Sequence, residues 1–257
     1  MATAKQQQRI ILVTGANRGL GFEVVKKLVK QSSSNNDLIL LGCRDLKRGQ
    51  DAIKELGSPS NVQALQLDTS SPDSIVQATN EIKQKYGSKL DILINNAAIV
   101  SGELTVADAR QVFATNYYGI KLINQNLSPL IREHGRIVNV TSEVGTKRYE
   151  DIGYHSKIPF IIYGVSKTAL TALTRVEARQ WSGAKGVLVV AVCPGYCATD
   201  MNKGRPGTRP AELGADSILH AAMTPAKELE NGAFYQDGQK KPQGFACTID
   251  FSKFTQQ

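Results

Sequence analysis

The chain has 257 residues, 41% of them hydrophobic, enough to bury a sizeable core in a single α/β domain. Its formal charge is +8, but the Lys and Arg residues are scattered ("KKLVK", "RDLKR", "GQKK") with no stripe interleaved with aromatics, so no nucleic-acid partner is expected. There is no apolar run long enough to span a membrane, and the polar start "MATAKQQQRI" lacks the apolar core of a secretory signal, so a cytoplasmic location is expected.

The first element is the strand "IILV" (10–13), which runs through "TGANRGLG" (14–21) into a helix over 20–30. Gly15, Gly19 and Gly21 are spaced G-x3-G-x-G. Gly15 lets the chain turn out of the strand. Gly19 lets backbone approach an anion at the helix N-terminus, where free N–H groups and the helix dipole favour a pyrophosphate. Gly21 permits close packing of helix on sheet. Read without its flanking strand and helix, the same stretch is only a glycine-rich turn.

The second strand, "LILLGC" (38–43), leads into Arg44, where an acidic residue would accept ribose hydroxyls. Arg44, with Arg18 from the glycine loop nearby, suits a phosphate, because guanidinium groups grip phosphate in bidentate fashion. The pair therefore favours NADPH over NADH. Asp45 is the rival acid, with a simpler role as N-cap of the helix over 45–56. The third strand, "VQALQL" (62–67), delivers Asp68, which either accepts from an adenine amino group or caps the helix over 72–86. The fourth, "ILIN" (92–95), ends in "NNAA"; buried amides need partners, so Asn95 and Asn96 are expected to tie strands together and line a cleft.

One long helix is expected over about 107–132, with Asn116 at its middle, where Asn is a poor helix former. The fifth strand, "RIVNVTS" (136–142), delivers Ser142, and a helix over about 160–181 carries "YGVSK", with Tyr163 and Lys167 on one face. The sixth strand, "VLVVAVC" (187–193), runs into "CPGYCATDM", and a last helix spans 209–223. A seventh strand is expected near 232–235 or 244–249. This alternation predicts a single-domain doubly wound parallel sheet of about seven strands with helices on both faces, binding its ligand beyond the strand carboxyl ends. Cys43, Cys193, Cys197 and Cys247 lack the paired spacing of a zinc site, so no metal is expected and reduced thiols suit a reducing compartment.

The ordered set TGxxxGxG, D, NNA, N, S, YxxxK, PG resembles the short-chain dehydrogenase/reductase family across about residues 9–200. Within it, "TGANRGLGFEVVKKL", "RDLKRGQ", "NLSPLIREHGRIVNV" and "CPGYCATDM" are similar to the NADPH-dependent carbonyl reductases. The resemblance implies a Rossmann-type fold in which residues 9–100 mainly hold NADPH/NADP+ and 101–257 carry catalysis and substrate, with loops at 143–160 and 195–210 on the substrate side. It implies a small-molecule aldehyde, ketone or quinone as substrate and hydride transfer as the reaction. Tyr163 would be the general acid, Ser142 a hydrogen-bond donor to the carbonyl, and Lys167 the partner that favours the phenolate and bonds the nicotinamide ribose. Lowering a phenol from about 10 to about 7 corresponds to about 4 kcal/mol. Asn116 would interrupt its helix and hold a water that relays protons to Lys167. Asn17, Leu20, Ala97, Pro194, Gly195 and Thr199 would complete the cofactor site, with 202–210 as a lid. Ala98 stands where the family has Gly, which predicts modest crowding of the cleft floor. The interval from Ser142 to Tyr163 exceeds the family's commonest spacing, and it holds Tyr149, Tyr154 and His155, which either touch substrate or simply sit in a surface loop. The tail "GFACTIDFSKFTQQ" does not match the carbonyl reductase ending. A homodimer or homotetramer through the helices at 107–132 and 160–181 is expected. Two other classes remain open: a non-catalytic NADP(H)-binding regulator, and a nucleotide-fold methyltransferase, which would not need YxxxK.

Overall fold

The computed structural model describes residues 8–32, 36–87, 89–101, 103–143, 160–181, 183, 185–202 and 205–242. Tyr149, Tyr154, His155, Cys247 and the alternative strand at 244–249 lie outside them.

Six parallel strands correspond to the six apolar runs: β1 (Arg9–Val13), β2 (Asp37–Cys43), β3 (Val62–Gln66), β4 (Leu90–Asn95), β5 (Ile131–Val140) and β6 (Leu188–Cys193). A seventh parallel strand, β7 (Phe234–Gln236), is short, and a hairpin returns through β8 (Gln239–Lys241). The sheet order is β3-β2-β1-β4-β5-β6-β7-β8, so the chain reverses direction across the sheet between β1 and β4. The sheet is the expected doubly wound one, and among the described residues it has eight strands, one more than the about seven expected. The additional strand escaped notice because "QKK" has no apolar residue; it is defined by its turn and its pairing with β7.

Alternation along each strand distributes side chains to two layers. Ile11 and Val13 pack with α1 (Gly19–Ser32), α2 (Leu46–Glu55) and α7 (Ala211–Met223), whereas Ile10 and Leu12 pack with α3 (Pro72–Tyr86) and α6 (Ile161–Trp181). Every residue of β2 is buried, as a central strand covered on both faces requires. Truncating a fully buried leucine such as Leu93 would cost about 2–5 kcal/mol.

The single helix expected over 107–132 is broken. α4 (Val106–Phe113) passes into a π-helical turn (Ala114–Gly119), then α5 (Ile120–Leu127) and a 3-10 turn (Ser128–Leu130), after which β5 begins at Ile131. The physical reason lies in tertiary contacts. Asn116 spends its side chain on another segment, and a Cβ at Gly119 would collide with the main-chain carbonyl of Thr69.

Candidate active site

The switch point between β1 and β4 opens a cavity of about 310 Å³, lined by the glycine loop, the ends of β2 to β6 and the segment after β6. Gly15, Asn17, Arg18, Gly19, Leu20, Arg44, Asp68, Ala97, Tyr163, Lys167, Pro194, Gly195 and Thr199 all line it. Residues as far apart in sequence as Gly15 and Thr199 thus meet in one cleft, as strand-end placement predicts.

At the glycine loop, Gly15 and Gly19 have φ of +61° and +58°, a backbone that L residues rarely adopt. A Cβ on Gly15 would lie 2.9 Å from Ala97 Cα, and one on Gly21 would lie 2.5 Å from Asn96 Nδ2. The loop is pinned to β4 by Asn96, whose Nδ2 donates to the carbonyls of Thr14 (2.9 Å) and Gly15 (3.2 Å), and by Thr14 Oγ1, which accepts from Ala97 N (3.0 Å). The first turn of α1 has no acidic residue, so its free N–H groups and positive dipole end face the cleft undiminished.

Three guanidinium groups, from Arg18, Arg44 and Arg48, border the same cleft. Arg18 Nη1 reaches Asp200 at 3.0 Å across the mouth. Asp45 accepts from Arg48 N at 3.2 Å and N-caps α2, which is the simpler of its two roles. Cys43, at the end of β2, is buried, and burial pushes its thiol up. Asp68 accepts from the amide (2.9 Å) and hydroxyl (2.7 Å) of Ser70, while the N-cap of α3 is Ser71.

Asn95 is not brought to the cleft. It is wholly buried, donating from Nδ2 to Asn124 Oδ1 (2.6 Å) and Asn139 Oδ1 (2.8 Å), and Asn124 in turn donates to Glu177 Oε2 (2.8 Å). Burial pushes the Glu177 carboxyl up to about 8, against the bonds from Asn124 and Asn139. Its neighbour Asn96 is the one that faces the cavity.

Tyr163 and Lys167 share one face of α6, with Lys167 Nζ 5.6 Å from the Tyr163 ring centroid. Lys167 is 1% exposed, and Nζ donates to the main-chain carbonyl of Val140 at 2.8 Å. Burial pushes the ammonium down to about 7. Burial also pushes the Tyr163 phenol up from its ordinary value. Burial is the larger cause, and the nearby Cys193 acts in the same direction. Ser142 lies two residues past the end of β5 and is half-buried. Cys193 Sγ accepts from the amides of Glu143 (3.2 Å) and Gly195 (3.3 Å), joining the segments that follow β5 and β6. Asn116 Oδ1 accepts from Ile99 N (2.9 Å), and its Nδ2 donates to Ile99 O (2.9 Å) and Ser166 Oγ (3.1 Å). Its side chain is thus committed to bracing the strand-end loop.

Thr14 and Arg48 were missed by sequence reasoning. Arg48 could have been found, being in the first turn of the helix that Asp45 caps, four residues past Arg44. Thr14 had no signal apart from its place at a strand end.

Known proteins resemble the chain in both sequence and fold. The family model described as short chain dehydrogenase matches residues 9–209. The chain is 31% identical to carbonyl reductase [NADPH] 1 of Rattus norvegicus, over 91% of this chain and 98% of the relative. It is 34% identical to the short-chain dehydrogenase anuI of Penicillium roqueforti, over 83% and 88%. Among solved structures, NADPH-bound carbonyl reductase from chicken fatty liver superposes with a TM-score of 0.78 at 27% identity, covering 91% of this chain and 99% of that one. Salutaridine reductase from Papaver somniferum gives 0.73 at 29% identity, covering 88% and 99%.

Proposed function

The chain belongs to the short-chain dehydrogenase/reductase family, and from that premise we propose that it is an NADPH-dependent reductase of aldehydes, ketones or quinones, with Tyr163 as general acid. The carrying observation is that the glycine loop, three guanidinium groups and the Tyr163–Lys167 pair line one cleft. The cofactor fits this donor set: close-approach glycines beside a helix N-terminus for the pyrophosphate, and Arg18, Arg44 and Arg48 for a 2′-phosphate.

NADPH held by the glycine loop, Arg18, Arg44 and Arg48 would supply the hydride for the carbonyl carbon. Tyr163 supplies the proton. Because burial raises its phenol, Tyr163 rests protonated at neutral pH and gives up its proton only as negative charge grows on the carbonyl oxygen. Ser142 donates to the same oxygen and holds it in place. Lys167, held beside Tyr163 by its bond to Val140, would stabilise the phenolate left behind with its ammonium charge.

Val106, Tyr118, Val165 and Val176 are large exposed apolar residues on α4, the π-turn and α6, and they support self-association through these helices. Light scattering checks that point. The activity is tested by following NADPH consumption with a panel of diketones, quinones and aldehydes. Turnover on any of them supports the reductase; tight NADPH binding without turnover would instead identify a regulator on the same fold.

A further inference from the structure

We propose that Arg209 and Asp237 form a clamp that positions the Pro194–Gly195 turn, and through it the nicotinamide side of the cleft, so that the C-terminal hairpin governs cofactor binding and turnover. Neither residue lines the cleft.

The clamp begins in the backbone. After β6 ends at Cys193, the chain leaves through Pro194 and Gly195 and runs parallel to Arg209: Ala198 N donates to Arg209 O, and Arg209 N donates to Tyr196 O, both at 2.8 Å. The Arg209 side chain then folds back over the turn it follows. Its Nη2 donates to the carbonyl of Pro194, and Nη1 and Nη2 grip the Asp237 carboxylate at 2.9 and 2.7 Å. Gly195 has φ of +76°, and a Cβ there would sit 2.7 Å from Arg209 Nε. The turn is glycine because a guanidinium occupies the space that any side chain would need.

The carboxylate is equally constrained. Asp237 and Gly238 have φ of +51° and +77°, the two left-handed positions of a type I′ turn joining β7 to β8, for which Asp-Gly is a favoured pair. Asp237 N donates to Ser217 Oγ (2.8 Å), and that hydroxyl donates to Cys193 O (2.9 Å). The hairpin tip is thus tied twice to successive carbonyls at the end of β6, through Ser217 to Cys193 and through Arg209 to Pro194. With side chains 26% and 48% exposed, Arg209 and Asp237 form a pair whose solvent-screened attraction adds little to global stability. Its contribution is bidentate geometry, which sets the direction of Pro194 and Gly195, and both of these line the cleft.

The inference rests on the reductase reading for its catalytic arm, so its test includes readouts that need no turnover. Asp237→Asn preserves the turn, since Asn-Gly is as suitable as Asp-Gly, and removes only the carboxylate charge. Arg209→Lys keeps a cation without the fork. For both we expect the NADPH Kd to rise at least threefold, kcat to fall about tenfold with the KM for the carbonyl nearly unchanged, and the Ala198 amide to exchange about tenfold faster. The Tm should move by no more than about 3 °C. The double variant should be no worse than the worse single one, as two halves of one device require. Lys240→Ala, which removes the Lys240–Glu230 pair from the same hairpin, should alter none of the cofactor or amide readouts. Unchanged NADPH affinity and Ala198 exchange in Asp237→Asn would overturn the clamp, as would additive losses in the double variant or losses that merely track Tm. A wild-type protein inactive on every carbonyl would sink the reductase assignment alone, because affinity and amide exchange would still report on the clamp.

Discussion

Lys167 lies one helical turn beyond Tyr163 with its ammonium 5.6 Å from the phenol ring centroid, anchored by a 2.8 Å bond to the carbonyl of Val140. The anchor comes from β5 and both side chains from α6, so the ammonium keeps its place beside the phenol only while helix and strand stay packed. Replacing Tyr163 with Phe leaves the ring and removes the hydroxyl. Turnover should fall at least a thousandfold while the NADPH Kd changes less than threefold. Retention of a tenth of the rate would show that the proton comes from elsewhere.

Arg44 lines the cleft and is exposed just past the end of β2, beside Asp45, whose carboxylate caps α2. Arg44→Ala should weaken NADPH by about 1.5–3 kcal/mol, the worth of a charge-assisted hydrogen bond, and leave NADH almost unaffected. Titrating both cofactors with the variant decides the matter. Equal losses would remove the 2′-phosphate from this position.

Gly21 has no room for a side chain: a Cβ would meet Asn96 Nδ2 at 2.5 Å, Gly15 O at 2.7 Å and Ala16 Cα at 2.8 Å. Two of these three contacts are backbone, and the third is the amide that pins the glycine loop. Gly21→Ala should cost about 1–3 kcal/mol of stability from overpacking. It should also weaken NADPH more than tenfold. Calorimetry combined with cofactor titration separates the two effects.

Two buried titrating groups impose opposite pH dependences on stability. Glu177, raised to about 8 from 4.5, takes up protons more readily folded than unfolded, so its contribution is complete below about pH 4.5 and is lost as pH rises through 8. Lys167, lowered to about 7 from 10.5, binds protons less readily when folded, so stability rises with pH between those values. Glu177→Gln mimics the protonated acid. It should remove the falling branch and stabilise the protein at pH 8 by about 1–3 kcal/mol, a Tm gain of several degrees. A wild-type Tm profile that is flat from pH 5 to 8, or a variant that shows the same fall, would place the Glu177 carboxyl elsewhere.

The sequence by itself determined the β-α alternation, the glycine loop at a strand end and the pairing of Tyr163 with Lys167. Each of these follows from rules that act over a few residues: side-chain alternation in strands, the i, i+4 face of a helix, and the need for glycine at positive φ. Tertiary structure alone decided features whose partners lie far apart in the chain. Asn116 looked like a lone poor helix former; its bonds to Ile99 and Ser166 make it a brace and accompany the π-turn at 114–119. Asn95 and Asn96 read alike in sequence, yet strand pleating sends Asn95 into the core to Asn124 and Asn139, and Asn96 to the glycine loop. β8 has no apolar residue to announce it, and the state of the Tyr163 phenol depends on burial that no local pattern encodes. Local propensity can be read from neighbouring residues, whereas desolvation and hydrogen-bond partnership exist only once distant segments have packed together.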